Sequence, residues 1–306
     1  MLSENQAEDF FVNVLKFPNW KDVKGNNTAE FLKQILQRYQ YFCYFHNQEM
    51  AATEPSCRRS PVEEDSVRNG LAGIGGVCIH QNSFMALILR TIGFDAFITA
   101  GNCLGSEVEG EGNHCMCVVK INEKEIYAID VGCGQPVDGP IPLHNLPYSG
   151  FAGGFRYEYK HNEVTNRYER WQLDGTCFRG KFPDPTTTQL RYTFSLIPQE
   201  FGYFTESLVD IFTNADKSIF LTSPFLFRCL DLESEAGENG RRYILIFGAS
   251  MVIYDNVNKE VTDFASYKEL QPVIAKYFPK IEEAIVHKAL DYFSNNGKPL
   301  ILGRTA

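Results

Sequence analysis

The chain has 306 residues, 44% of them hydrophobic and 24 of them phenylalanine, which is ample for sizeable cores and long enough for two or three domains. A formal net charge of −9 and a pI near 5.3, with no basic patch, argue against a nucleic acid or an anionic membrane as partner. Nine cysteines, an odd count with no small-domain framework, an acidic N-terminus and no apolar run approaching about 18 residues predict a cytoplasmic protein with reduced thiols.

Residues 1–93 read as mostly helical, with helices predicted over 29–45 and 78–92 and a polar loop, 53–70, between them. The second helix carries chemistry. Phe84, Leu87, Ile88, Thr91 and Ile92 recur three and four apart, as on an amphipathic helix, and Gly93 supplies a stop. Gly75 and Gly76 allow a tight turn just before it. Cys78 therefore falls in the first turn, among unpaired N–H groups at the positive end of the helix dipole, which favour a thiolate. It is a candidate nucleophile; the plainer alternative is a small core residue. His80, two positions on, points to another side of the helix and reads as a supporting or surface residue.

From 94 to about 200 the pattern changes to short strands and glycine-rich turns, at 96–100, 155–159, 167–173 and 191–196 with a hairpin over 114–131. An antiparallel barrel or strongly curved sheet is predicted. A hairpin centred near residue 122 pairs positions whose numbers sum to about 244–247, which brings His114 opposite, or nearly opposite, Asp130 on the same face. A carboxylate beside an imidazole fixes its tautomer, and the imidazole can deprotonate a nearby thiol. Cys103, Cys115, Cys117 and Cys133 surround His114, but a Cys-x-Cys on a strand turns both sulfurs away from it. With no CxxC pair present, no metal is expected. The loop 101–113 carries Gly105, Gly110, Gly112 and the acids Glu107, Glu109 and Glu111; it either passes near a cofactor or is a solvated connection.

Beyond 201 helix and strand mix: a helix over 204–214, strands at 242–247 and 251–255, and a helix near 268–277. Arg241 and Arg242, after the acidic run 231–238, read as a solvated loop, and His144, His161 and His287 have no partner in view.

The elements taken together resemble the arylamine N-acetyltransferase family, which carries RGGxC at a helix start, a strand-initial His, and Asp in a D-V/A-G-F-G motif. Here stand Ile74-Gly75-Gly76-Val77-Cys78, His114 and Asp130-Val131-Gly132-Cys133-Gly134. Phe45-His46-Asn47 is similar to the family's PFEN. Asn82, Thr91-Ile92-Gly93-Phe94, Phe212-Thr213-Asn214 and Thr222-Ser223-Pro224-Phe225 follow the family in order. The resemblance implies an α+β fold: an N-terminal helical bundle (1–93), an antiparallel β-barrel (94–200) and a C-terminal α/β lid (201–306) around a cysteine-protease-like Cys-His-Asp core.

The same resemblance implies Cys78, His114 and Asp130 as the catalytic residues and acetyl-CoA or another short acyl-CoA as donor, with no metal. An aromatic amine, hydrazine or hydroxylamine would be the acceptor in ping-pong transfer; a monomer is expected, with an oligomer left open. Gly112, Asn113, Thr222 and Ser223 become candidate cofactor contacts, and Phe45, Val77 and Cys133 candidate walls of the substrate pocket. Ile74, His46 and Cys133 depart from the family's arginine, glutamate and phenylalanine. Two rivals stay open: a Cys-His-Asp hydrolase or transglutaminase-like acyl transferase, and a non-catalytic binding protein on the same scaffold.

Overall fold

A computed structural model describes residues 2–104, 108, 110–173 and 188–297. The first third supplies helices α1 (Glu4–Asp9), α2 (Trp20–Asn26), α3 (Thr28–Phe42), α4 (Gln48–Ala52), α5 (Glu63–Leu71) and α6 (Cys78–Thr91), with two short strands, β1 (Tyr44–His46) and β2 (Gly75–Gly76). Asn27 caps α3 by accepting the Glu30 N–H at 3.0 Å, and the helix buries Phe31, Leu32, Ile35, Leu36 and Tyr39 at three- and four-residue spacing. Phe45 lies beyond its end, on β1. The predicted loop 53–70 is a loop only in its first half. From Glu63 the chain forms α5, whose Asp65 carboxylate accepts the Val62 N–H at 3.0 Å and whose first turn holds three acids at the positive end of the helix.

The middle of the chain forms β3 (Asp95–Cys103), β4 (His114–Asn122), β5 (Glu125–Ile129), β6 (Ile141–Pro142), β7 (Tyr148–Ala152), β8 (Phe155–Asn162), β9 (Arg167–Gln172) and β10 (Gln189–Gln199). They pair antiparallel in the order β6-β5-β4-β3-β10-β9-β8-β7. A flat sheet of that order would separate its edges by about 34 Å at about 4.8 Å per strand spacing. The link from Pro142 at the end of β6 to Tyr148 at the start of β7 spans at most about 22 Å at about 3.6 Å per residue. The sheet must therefore curl, and it is a nearly closed barrel filled by Tyr157, Tyr159, Tyr192 and Phe194.

The last third forms α7 (Phe204–Thr213), α8 (Ile219–Thr222), β11 (Phe225–Cys229), β12 (Tyr243–Phe247), β13 (Ser250–Tyr254), β14 (Lys259–Asp263), α9 (Gln271–Tyr277) and α10 (Glu283–Asn296). Its sheet runs β14-β13-β12-β11-β1-β2, so both strands of the N-terminal third complete it. β1 pairs antiparallel with β11, Phe45 opposite Phe227, and parallel with β2. Alternation gives the sheet two apolar faces. Leu226, Ile244 and Ile246 pack with Leu290 and Phe293 of α10, while Phe225, Phe227, Leu245 and Phe247 join the main core. Arg241 departs from the expected solvated loop, being buried and donating to Asp138 at 3.2 Å, while Arg242 is exposed as expected and pairs with Asp231 at 2.7 Å. His144, His161 and His287 also have partners: the Ile126 backbone, Asn166 and Asp291.

Candidate active site

The loop that delivers Cys78 depends on two glycines. Gly75 (φ 93°) and Gly76 (φ 134°) hold conformations that other residues rarely adopt, and a Cβ on Gly75 would enter the Tyr44 carbonyl of the neighbouring strand. Gln81, one turn along α6, donates to the carbonyls of Tyr44 (2.9 Å) and Gly76 (2.6 Å), tying loop and strand together. Cys78 then opens α6 at 9% exposure. The helix is buried on every face from Cys78 to Leu89 rather than amphipathic.

The hairpin brings the other two residues. Asp130 follows β5 directly, and its Oδ2 lies 3.0 Å from His114 Nε2, both side chains buried. The carboxylate accepts from four donors: His114 and the Tyr192 hydroxyl (2.9 Å) on Oδ2, Asn82 Nδ2 (2.7 Å) and the Gly132 N–H (3.1 Å) on Oδ1. Asn82 also accepts the Val131 N–H at 3.0 Å, so one residue of α6 fixes both Asp130 and its backbone. Burial opposes ionisation of Asp130, but the charge of His114 and the hydrogen bonds from His114, Asn82 and Tyr192 outweigh it and hold the carboxyl below its ordinary range. Burial likewise disfavours the imidazolium of His114, yet the facing Asp130 carboxylate raises its proton affinity well above the usual value. A hydrogen bond that the imidazolium donates to the Cys78 sulfur adds to that rise, and since Nε2 faces Asp130, the ring atom left for the sulfur is Nδ1.

The other thiols near His114 are of a different kind. Burial pushes the Cys133 thiol up to about 12, and raises Cys103, Cys115 and Cys117 as well. Among the described residues no three His, Cys, Asp or Glu side chains group to hold a metal.

Beside Cys78 runs the segment 132–134. A Cβ on Gly132 would lie 2.8 Å from the Cys78 Cα, and one on Gly134 (φ 64°) would meet Phe45 and Phe225. Those rings stand 4.9 Å apart, with Phe220 5.9 Å from Phe225, forming an aromatic wall next to the cysteine. Cys133 is half-buried there with its sulfur 3.3 Å from the Gln135 carbonyl, and Val77 is buried as the residue that caps α6.

Asn113 and Gly112 fasten the end of the loop 101–113 to β3. The Asn113 side chain accepts the Cys103 N–H (2.6 Å) and donates to the carbonyls of Cys103 (3.0 Å) and Val108 (2.8 Å). The Gly112 N–H donates to Gly101, which lies against His114. Glu111 pairs with Arg167 at 2.9 Å; Gly105, Glu107 and Glu109 lie outside the described residues. Thr222 and Ser223 are buried, the Thr222 hydroxyl donating to Ile219 (3.3 Å) and the Ser223 carbonyl accepting from Asn47 (2.7 Å).

The departures at 46 and 74 leave neighbours that carry no charge. Burial pushes the His46 ring down to about 4, with the Ile74 backbone partly offsetting it, so the imidazole is neutral and accepts the Gln48 N–H. His80 is not a surface residue. Its ring packs edge to face on Phe212 at 5.8 Å and lies against Gly76, and burial pushes it down to about 4. Tyr192 carried no sequence signal for its place in the site, being one aromatic among many in a strand.

The N-acetyltransferase family model matches residues 28–281 of the chain. Among curated proteins the chain is similar to the uncharacterized acetyltransferase YvcN of Bacillus subtilis, 25% identical over 228 residues that cover 70% of this chain and 80% of that protein. Among solved structures it is similar in fold to the arylamine N-acetyltransferase of Salmonella typhimurium (TM-score 0.73, 16% identity, 95% and 100% of the two chains). It is also similar to that of Mycobacterium marinum solved in complex with CoA (TM-score 0.72, 11% identity, 95% and 100%).

Proposed function

The chain belongs to the arylamine N-acetyltransferase family and is an acyltransferase, and from that premise we propose that it moves an acetyl or other short acyl group from an acyl-CoA to an amine through a thioester on Cys78. The observation that carries the reading is the buried His114–Asp130 contact at 3.0 Å with Cys78 on the other side of the imidazole. In this reading residues 1–93 supply Cys78, 94–200 supply His114 and Asp130, and 201–306 cover the cleft.

The Cys78 sulfur attacks the carbonyl carbon of the donor thioester while its proton passes to His114, and Asp130 stabilises the imidazolium. The Cys78 N–H, unpaired in the first turn of α6, is one donor for the oxyanion. The C–S bond to CoA breaks and the leaving thiolate takes the proton from His114. The amine then attacks the acyl-cysteine, gives its proton to His114, and the amide departs as Cys78 regains its proton. Phe45, Phe220 and Phe225 favour an acceptor with an apolar, ring-bearing body, and Cys133 offers it less stacking surface than a phenylalanine would. The loop held by Gly112 and Asn113, and the segment of Thr222 and Ser223, are the proposed flanks of the donor; their inward hydrogen bonds support a role through backbone shape.

The substrates are small molecules. No helix among the described residues is long and apolar enough to cross a membrane. The proposed setting is cytoplasmic, as a monomer with neither nucleic acid nor membrane as partner, in keeping with the net charge of −9.

Intact mass after brief incubation with acetyl-, propionyl- and malonyl-CoA tests the reading. A single acyl adduct mapped to Cys78 and discharged by an arylamine or hydrazine supports it. No adduct with any of these donors, on protein whose Cys78 still reacts with iodoacetamide, refutes it in favour of a hydrolase.

A further inference from the structure

A cavity of about 430 Å³ opens on the side of α6 turned away from Cys78. His80, at roughly 200° around the helix from Cys78 at about 100° per residue, lines it. Four cations, Arg58, Arg59, Arg68 and Lys288, and two carboxylates, Glu49 and Asp65, line it as well. Both carboxylates are already engaged: Asp65 by Arg59 (2.9 Å) and Arg68 (3.1 Å), Glu49 by Asn69 (2.5 Å). Arg58 is held over the Tyr292 ring, 4.2 Å from its centroid, and among the described residues donates only to neutral oxygens of Tyr292, Thr53 and Ala51. Lys288 makes no ion pair among the described residues. His80 is 8% exposed, and its Nδ1, buried without a hydrogen-bond partner, lies on the Gly76 side of the ring.

We infer that this cavity binds a phosphate-bearing small molecule. Two positive charges stand in excess, close to the charge of about −1.5 to −2 on a phosphomonoester at neutral pH. Arginine forks match phosphate oxygens two at a time, and Arg58 and Lys288 have no carboxylate of their own among the described residues to compete for them. The volume lies in the range of small-ligand sites, with room for a group larger than phosphate alone. In a chain of net charge −9 the cavity runs against the overall field, so its cations have been gathered locally. Because His80 rests on Gly76, an anion held there also bears on the loop that delivers Cys78.

Calorimetric titration of the full chain with inorganic pyrophosphate, alone and in the double variant Arg59→Gln/Lys288→Gln, tests the site. The two side chains are solvent-facing and stand outside the catalytic machinery. The expected result is saturable binding that weakens at least tenfold in the variant, while both proteins form the Cys78 adduct at saturating acetyl-CoA. No saturable binding, or equal affinity in the two proteins, overturns the site without touching the transferase reading. The acetyl-CoA concentration for half-maximal acylation identifies the source. If it is unchanged in the variant, the ligand is a free phosphorylated molecule. If it rises in step with the loss of pyrophosphate binding, the phosphates are those of the donor.

Discussion

His114 stands diagonally across the β4–β5 ladder from Asp130, not directly opposite it. The ladder pairs Cys117 with Ile129 and Lys120 with Ile126, a register that places His114 two residues out of line with Asp130 on the same face. Diagonal neighbours are about 7–8 Å apart, within reach of two side chains of this length, and they meet at 3.0 Å. A slip of one residue would have put them on opposite faces.

Because Asp130 orients His114 and stabilises its charged form, Asp130→Asn is expected to slow acylation by about 10³–10⁴-fold, the scale seen when a triad carboxylate is neutralised. Cys78→Ala should abolish the adduct. Single-turnover acylation on variants with wild-type circular dichroism checks both; near-normal turnover in either contradicts the assignment.

Tyr192→Phe removes a donor to Asp130 and leaves the Tyr159 hydroxyl, 2.7 Å from that of Tyr192, without its partner. A buried group deprived in this way costs about 1–3 kcal/mol. The expected outcome is a lower urea midpoint at unchanged slope together with slower acylation.

Gly75→Ala is expected to destabilise the chain by roughly 1–3 kcal/mol, since the residue has φ 93° and its Cβ would enter the Tyr44 carbonyl. Acylation should fall further than stability alone dictates, because the same loop sets the position of Cys78. Thermal melts and adduct formation measured on one preparation separate the two effects.

His46 and His80 are buried and neutral, each pushed from 6.5 down to about 4. Unfolded, they take up a proton near 6.5, so as pH falls from about 6.5 to 4 the unfolded state binds more protons and stability declines. For His46 alone the loss is on the order of 3 kcal/mol at about 1.4 kcal/mol per pH unit. His114, raised in the fold, acts in the opposite sense, but mainly above pH 6.5, where its unfolded form loses the proton that the folded form keeps, and it adds little slope below that. Urea unfolding at pH 7 and pH 5 should show the decline, and His46→Leu should lessen it while the share of His80 remains.

Brief alkylation should modify Cys57, which is exposed, and Cys78, and spare Cys43, Cys115, Cys117 and Cys133, whose thiols burial keeps protonated. Peptide mapping reads this directly.

The helix carrying Cys78 was legible from its apolar run and the Gly93 stop, although it is buried all round rather than on one face, and the hairpin carrying His114 from two apolar runs about a polar turn. α5 was not, because the face it buries consists of Ser66, Asn69 and Gly70, which leave no apolar period. β1 and β2 are too short to show alternation and exist only by pairing with each other and with β11, far away in sequence. Arg241 looked solvated because its partner, Asp138, lies 103 residues away. The roles of Tyr192 and Asn82 beside Asp130 are likewise set by tertiary contact.

The most direct measurement isolates the acylated protein, freed of donor, and then adds an arylamine. A two-step transfer through Cys78 predicts one amide formed per acyl-enzyme, with the Cys78 adduct lost at the same rate. Amide formation only when donor and amine are present together, with the adduct left in place, would contradict it.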